Sequence, residues 1–412
     1  MNKPSVASEG LLDKKTAIFV FLTFAAAYSL SALVRAIIAT LSPVLSQEFS
    51  LQSRDLGLLA GGYFLGFAAT QLPLGAWLDK HGPKRVIVCF LAVAVLGCLV
   101  FSSASSFAGL LAGRVLIGMG VSACLMAPLS GFRRWLDAPS LLRANSWMLM
   151  SGSLGMLAST LPVQWLLPLV GWRALFWTLA GFLFLAILVI VFVVPAWPSR
   201  DVTKTNTAAG YAEVWKSRYF RKLSALAFFN YGGLLAVQTL WAAPWMVKVA
   251  GYTPLEAATG MFYINAVMLL TYWGWGLVNP YLAKAGWHTD RLLAWGVPLS
   301  LLALAGNILG GASTGWVGWA VFCVVSTVVS LSQPAVGMAF TPALAGRALS
   351  GFNLVIFSGV FTVQWGIGLL VDAFEALGLA QIASFQAAFS VFLACCVCAF
   401  IYFLRVKDNS TQ

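Results

Sequence analysis

Twelve stretches of this chain are each about 20 predominantly apolar residues long, the length that crosses the hydrocarbon core of a bilayer as a helix. They run over 17–45, 55–78, 85–103, 107–132, 143–168, 172–194, 221–247, 255–282, 290–310, 314–340, 346–371 and 380–404. Gly, Pro, Ser and charged residues fill the gaps between them. Lipid offers no hydrogen bonds to the backbone, so each run must close its own ladder as a helix. Only 9% of the residues are charged, against about 25% in a soluble domain, so no room is left for a sizeable soluble unit. The first run follows Lys14 and Lys15, is too long for a signal-peptide core, and is not closed by a small-residue cleavage site. It reads as the first span.

A net charge of +12 raises the question of nucleic acid, and the placement of the bases excludes it. If the N-terminus is cytoplasmic, the inner loops collect Lys14, Lys15, Lys80, Lys84, Arg85, Arg133, Arg134 and Arg143 from the first half. From the second half they collect Arg200, Lys204, Lys216, Arg218, Arg221, Lys222, Lys284, Arg291, Arg347, Arg405 and Lys407. The outer loops hold little beyond Arg54, Arg173 and Lys248. This asymmetry is the positive-inside pattern, and it predicts a multi-pass protein of the plasma membrane (a bacterial inner membrane) with both termini cytoplasmic.

The longest polar stretch, 195–220, divides the runs six and six. The expected organisation is a six-helix bundle over 1–194, a cytoplasmic linker over 195–220 and a second six-helix bundle over 221–412. The halves echo each other. Pro43 and Asp55 match Pro244 and Glu256 at a spacing of 201, and Val163-Gln164-Trp165 matches Val363-Gln364-Trp365 at a spacing of 200. Such repeats are the mark of secondary transporters, whose site lies at the repeat interface near the bilayer midplane.

Between the second and third runs the chain reads Gly75-Ala76-Trp77-Leu78-Asp79-Lys80-His81-Gly82-Pro83-Lys84-Arg85. Gly75 allows close helix packing, Gly82 a tight turn, and Asp79 is the one acid among the bases. This loop resembles the signature loop of the major facilitator superfamily. A second resemblance lies in the fourth run, Gly113-Arg114-Val115-Leu116-Ile117-Gly118-Met119-Gly120. The resemblance implies an all-α membrane fold of twelve helices in two pseudo-symmetric six-helix bundles, mostly monomeric. It also implies a cytoplasmic gate at Gly75, Asp79, Lys80, Gly82, Lys84 and Arg85, closing against the start of the eleventh helix near Gly346 and Arg347. Drug:proton antiporters of the family carry a Gly-Pro-rich motif in helix 5. Here Ser151-Gly152-Ser153-Leu154-Gly155 falls at that place and Pro162 comes too late to complete it.

Two arginines sit inside the membrane, Arg35 in the first run and Arg114 in the fourth, at similar depth. Buried ionisable groups are costly and usually face a wet cavity. Guanidinium is a fork-shaped donor suited to carboxylate or phosphate, so the pair favours an anionic cargo. The competing reading for each is structural, a bond to backbone carbonyls. Tyr28, Gln238, Trp241, Asn265, Tyr272, Gln333, Asn353 and Gln364 could complete the site, each with interhelical hydrogen bonding as the alternative. No acid lies at mid-membrane depth, which leaves proton coupling without an evident carrier group. Many of the 17 tryptophans, Trp172 and Trp287 among them, are expected in interfacial belts, with Trp241 and Trp245 deeper.

No Gly-rich nucleotide loop appears, His81 and His288 lie in separate loops, and the seven cysteines fall inside apolar runs without ligand spacing. Neither an enzyme nor a cofactor is expected. The sequence therefore points to secondary transport of a small organic solute, an anion such as a carboxylate, moved with protons (symport or antiport) or by exchange. The alternatives are efflux of amphiphilic or drug-like compounds and a non-transporting sensor of the same fold.

Overall fold

The computed structural model describes residues 11–195 and 207–406. Arg200, Lys204 and Lys407 of the basic loops, and residues 196–206 of the expected linker, lie outside the described residues. The described residues are almost entirely helical, without strands. The first half comprises α1 (Lys14–Phe49), α2 (Ser53–Ala69), α3 (Gln71–Ser102), α4 (Phe107–Val121), α5 (Ala123–Trp135), α6 (Ala138–Ala158) and α7 (Leu161–Val193). After α8 (Thr207–Lys216), the second half comprises α9 (Arg218–Leu226), α10 (Gly232–Ala236), α11 (Ala242–Lys248), α12 (Pro254–Lys284), α13 (Thr289–Gly310), α14 (Trp316–Ser326), α15 (Ser332–Met338), α16 (Pro342–Ala376) and α17 (Gln381–Arg405).

Ten stretches among the described residues are long and apolar enough to cross a membrane. Twelve crossings result once two sharp breaks are read as turns. At Gly82 (φ 75°, ψ 164°) the second span, α2 plus the start of α3, hands over to the third. At Gly171 (φ 73°, ψ 163°) the fifth span, α6 plus the start of α7, hands over to the sixth. Both positions need a left-handed φ that glycine alone adopts without strain. Spans 4, 7 and 10 are also interrupted. Span 7 contains two π-helical turns, Ala227–Tyr231 and Val237–Trp241, and span 10 a 3₁₀ segment, Thr327–Leu331. Such irregular turns concentrate where side chains are aimed for function.

The repeat visible in the sequence reappears as local chemistry. The Asp55 carboxylate accepts from Gln52 N at 3.0 Å at the start of span 2, and the Glu256 carboxylate accepts from Thr253 N at 2.8 Å at the start of span 8. Each satisfies an otherwise orphaned N–H of its helix. Within the first half, α3 packs on α4 and α7, α2 on α4, and α1 on α6 and α7. Within the second, α16 packs on α17 and α10, and α13 on α14 and α17. The main seam between halves is α2 against α16, with lesser seams of α3 against α16, of α1 against span 7 and of α12 against α6 and α7. Exposed large apolar side chains such as Phe192, Leu169 and Leu309 form the lipid-facing belt.

Trp172 departs from the expected interfacial belt. It is 3% exposed, its indole N–H donates to Glu48 at 2.7 Å, and the Arg173 guanidinium lies 4.2 Å from its ring. An ion pair of Arg173 with Glu48 at 2.6 Å completes a tie between the ends of spans 1 and 6. Polar partners within the bundle, rather than the bilayer interface, hold this indole.

Candidate functional site

One stripe of α1 presents Tyr28, Ser31 and Arg35, spaced three and four residues apart and so on a single helix face. Arg35 is partly exposed, and its Nε is buried without a hydrogen-bond partner. Tyr28 and Tyr63 are its nearest interacting neighbours. The Tyr63 hydroxyl, the Ser31 hydroxyl and the Arg114 Nε are likewise buried and unpartnered. Three buried polar atoms thus surround the Arg35 guanidinium without a paired hydrogen bond, whereas nearly all such atoms in a protein interior are paired. From the second half, Tyr231 on span 7 lies within electrostatic range of Arg35 and Tyr28, and Tyr272 on α12 within range of Tyr231 and Tyr28. The cluster thus sits where the two halves face each other.

Arg114 plays a different part from Arg35. It is 0% exposed, donates from Nη1 to Val34 O at 2.7 Å and from Nη2 to Arg35 O at 3.4 Å, and lies 5.0 Å from the Tyr63 ring centroid. It therefore fixes the backbone that carries Arg35. The glycines flanking Arg114 explain why span 4 can come this close. A methyl at Gly118 would overlap the Tyr63 carbonyl, so only glycine lets span 4 rest on span 2 there. No ion pair reaches Arg35 or Arg114 among the described residues, and the described carboxylates lie at or beyond the helix ends.

The remaining sequence candidates pair among themselves. Gln238 donates to Asn265 at 2.9 Å, and Gln333 donates to Asn353 at 2.7 Å. Trp241 is 0% exposed and donates to Gln364 O at 3.0 Å, while the Gln364 amide donates to Thr239 at 2.9 Å. These groups knit spans 7, 8, 10 and 11 of the second half. Trp245 is also 0% exposed, packed against Trp319 and Phe389. Ser31, absent from the candidate residues, was signalled by its place four residues before Arg35. Tyr63 and Tyr231 join the cluster only through packing between helices.

The two ends of the molecule differ. Call the face bearing Lys14 and Arg405 the terminal face. At the opposite, far face a void of about 10 Å³, no larger than one water, lies between Ala39, Pro43, Ala243, Val247 and Met261. There the Asp372 carboxylate, at the end of α16, accepts from Ser53 N at 3.0 Å and Arg54 N at 2.9 Å, capping α2 of the other half. The far face is sealed. At the terminal face, α5 and α15 make their main contacts within their own halves. Of the signature-loop residues, Asp79 is exposed and makes no ion pair within 4.0 Å among the described residues, while Arg133 and Arg347 act on it from a distance. Lys80 and Arg85 are exposed, Lys84 half-buried, Gly82 forms the turn, and a methyl at Gly75 would lie 3.9 Å from Ser350 Oγ. Tyr211 of α8 reaches across to donate to Leu72 O at 3.3 Å.

The family model described as the Major Facilitator Superfamily matches residues 24–363. The chain belongs to the Major Facilitator Superfamily. It is therefore a multi-pass membrane protein of a transporter family, not of an enzyme family. Among superfamily members it is 26% identical over 320 residues to the inner membrane transport protein YajR of Escherichia coli K12, covering 74% of this chain and 66% of that one. It is 24% identical over 242 residues to the probable sulfoacetate transporter SauU of Cupriavidus necator, covering 55% of this chain and 56% of that one. It is 25% identical over 186 residues to the multidrug resistance protein MdtL of E. coli O127:H6, covering 43% and 46%. The matches thus span less than two thirds of these relatives' own lengths. The superfamily fold is shared with a bacterial homologue of the human lysosomal transporter Spinster in an inward-facing, unoccupied conformation, with a TM-score of 0.76, 19% identity and coverage of 95% and 97%. It is shared also with a D-xylose–proton symporter, with a TM-score of 0.77, 13% identity and coverage of 96% and 99%.

Proposed function

We propose that this transporter carries a small organic anion, its carboxylate or sulfonate head held by Arg35. The observation that carries the reading is a guanidinium between the two halves with no acidic partner among the described residues and with unsatisfied polar atoms around it. A buried charge without a counter-ion is expensive, and a ligand anion supplies the missing partner. Tyr28 and Tyr63 offer hydroxyls to the same head group, and Tyr231 and Tyr272 offer the wall from the other half. Arg114 holds the α1 backbone in place and adds positive potential. The likeness to the probable sulfoacetate transporter favours the same chemistry.

The moving parts of this proposal are the bundles 1–194 and 221–412, joined by 195–220. They rock about the site so that it opens to each side in turn. The termini are assigned to the cytoplasm from the distribution of Lys and Arg, which makes the far face the outer one. The sealed far face and the unpaired Asp79 then correspond to a carrier open toward the cytoplasm. In the opposite state Asp79 and its neighbouring bases close against the start of α16.

Efflux of amphiphilic compounds is the second reading, favoured by the likeness to MdtL. A lipophilic cation would want an acid in the site, and the described spans offer none at depth.

The test is the thermal stability of the purified protein with acetate, lactate, benzoate, sulfoacetate, phosphate and tetraphenylphosphonium. The anion reading expects stabilisation by organic anions that disappears in Arg35→Gln. Stabilisation by tetraphenylphosphonium alone, or by anions equally in Arg35→Gln, overturns it.

A further inference from the structure

Spans 7, 9 and 12 meet at one ion pair on the terminal face. Lys222 of α9 lies 2.6 Å from the Asp290 carboxylate of α13 and 4.5 Å from the Phe403 ring of α17. The Tyr219 hydroxyl donates to the same carboxylate at 3.1 Å. Asp290 is thus matched from within the bundle and leaves the neighbouring arginines uncancelled. Arg291 follows Asp290 directly, and Arg405 stands two residues after Phe403. Both are exposed, and no ion pair reaches either among the described residues. Arg218 and Arg221, also exposed, stand on the helix that carries Lys222 and add positive potential. The Arg291 guanidinium lies 4.4 Å from the Trp287 ring. A guanidinium over a ring face keeps its edge N–H donors available for a phosphate.

Each of the two arginines stands at the foot of an exposed apolar stripe. On α13, Arg291, Trp295, Leu299 and Leu302 are exposed at spacings of four, four and three. On α17, Cys398, Ile401 and Arg405 are exposed at spacings of three and four, while Cys396, Phe400 and Phe403 face inward. The two helices pack together, and Gln386 ties them by donating to Ile308 O at 2.7 Å. Basic helix ends orient any membrane protein. What sets this place apart is that guanidinium groups from two helices flank the foot of one apolar seam. We infer that the seam between spans 9 and 12 binds an anionic phospholipid of the terminal-face leaflet. Its phosphate lies between Arg291 and Arg405, and its acyl chains run along the two stripes. A zwitterionic lipid brings its own cation to the same place and is held less well. The inference is independent of the cargo.

The experiment uses the full chain in phosphatidylcholine vesicles. Cys89→Ser with Cys395→Ser leaves Cys398 as the exposed cysteine among the described residues, and a fluorophore is attached there. Quenching is compared between phosphatidylglycerol brominated in its acyl chains and brominated phosphatidylcholine at the same mole fraction. The expected result is an apparent affinity about 25-fold higher for phosphatidylglycerol. Arg291→Gln or Arg405→Gln should each lower that preference about fivefold, and the double variant should abolish it. Lys14→Gln with Lys15→Gln removes the same charge from the first half and should leave the preference in place. Attaching the fluorophore at Cys89 instead, in Cys395→Ser with Cys398→Ser, should give a preference at least about fivefold smaller. That comparison does not depend on the folding of any arginine variant. Equal quenching by the two lipids at Cys398 overturns the site, as does an equal preference at Cys89. A preference that survives the double arginine variant, or that falls as far in the double lysine variant, overturns it too.

Discussion

Replacing Asp372 with Asn should unseal the far face. The native carboxylate accepts two backbone N–H groups, at 3.0 and 2.9 Å, from the first turn of α2. Hydrogen bonds to a charged group contribute about 1.5–3 kcal/mol each, and the helix N-terminus adds about 0.3–1 kcal/mol for a negative charge. The Arg54 contact adds little, since it spans 3.9 Å and the Arg54 side chain is 55% exposed. Asparagine keeps one acceptor, loses the charge and turns an amide N–H toward a backbone N–H. Water that enters the opened seam repays part of the loss, so a net weakening of about 2 kcal/mol is a fair value. At 1.4 kcal/mol per tenfold, the ratio of far-open to far-closed carriers rises about 30-fold. A cysteine at Ala39, 2% exposed and lining the small far-face void, reports this ratio in a background without native cysteines. The rate of its modification by a membrane-impermeant maleimide added from outside should rise by that factor. Asp55→Asn is the control, because Asp55 caps the same helix end from within its own bundle. It should weaken α2 without opening the seam. A change below about twofold in Asp372→Asn, or an equal rise in both variants, would refute the latch.

Other outcomes follow from the same contacts. Gly57→Leu should also open the far face, since a Cβ there collides with the Gln364 carbonyl of the other half and α2 can no longer close on α16; the Ala39 reporter reads it directly. Gly118→Ala should lower the melting temperature by the equivalent of about 1–3 kcal/mol, because the obstructing atom is the Tyr63 backbone and cannot swing aside. Arg114→Gln should reduce stability even without substrate, since the Val34 and Arg35 carbonyls each lose the guanidinium donor that ties span 4 to α1; Arg35→Gln should affect substrate binding far more than stability. Asp79→Asn should leave the structure described here unchanged, where Asp79 makes no ion pair with the described residues, and should shift the carrier toward this cytoplasm-open state. Modification of a cysteine placed near the terminal-side opening checks it, and unchanged labelling together with unchanged transport would count against the gate.

What the sequence determined by itself is what depends on short range. Apolar length fixed the spans to within a few residues, because a bilayer has one thickness and a helix one rise per residue. Gly82 was legible as a turn because its φ of 75° suits glycine and little else. Asp55 and Glu256 were legible as equivalent because each caps its own helix three residues away. The Arg35 stripe follows from helical periodicity alone. Tertiary structure decided everything that depends on which face meets which. Periodicity aims Arg114 inward, but only packing gives it two α1 carbonyls and leaves Arg35 as the guanidinium with an open side. It pairs Gln238 with Asn265 and Gln333 with Asn353, so that polar residues of similar appearance serve to join helices. It places Asp372 against the amide of Ser53, 319 residues earlier in the chain. A helix end announces unsatisfied N–H groups in any sequence, but the carboxylate that meets them belongs to another bundle, and only the folded chain brings the two together.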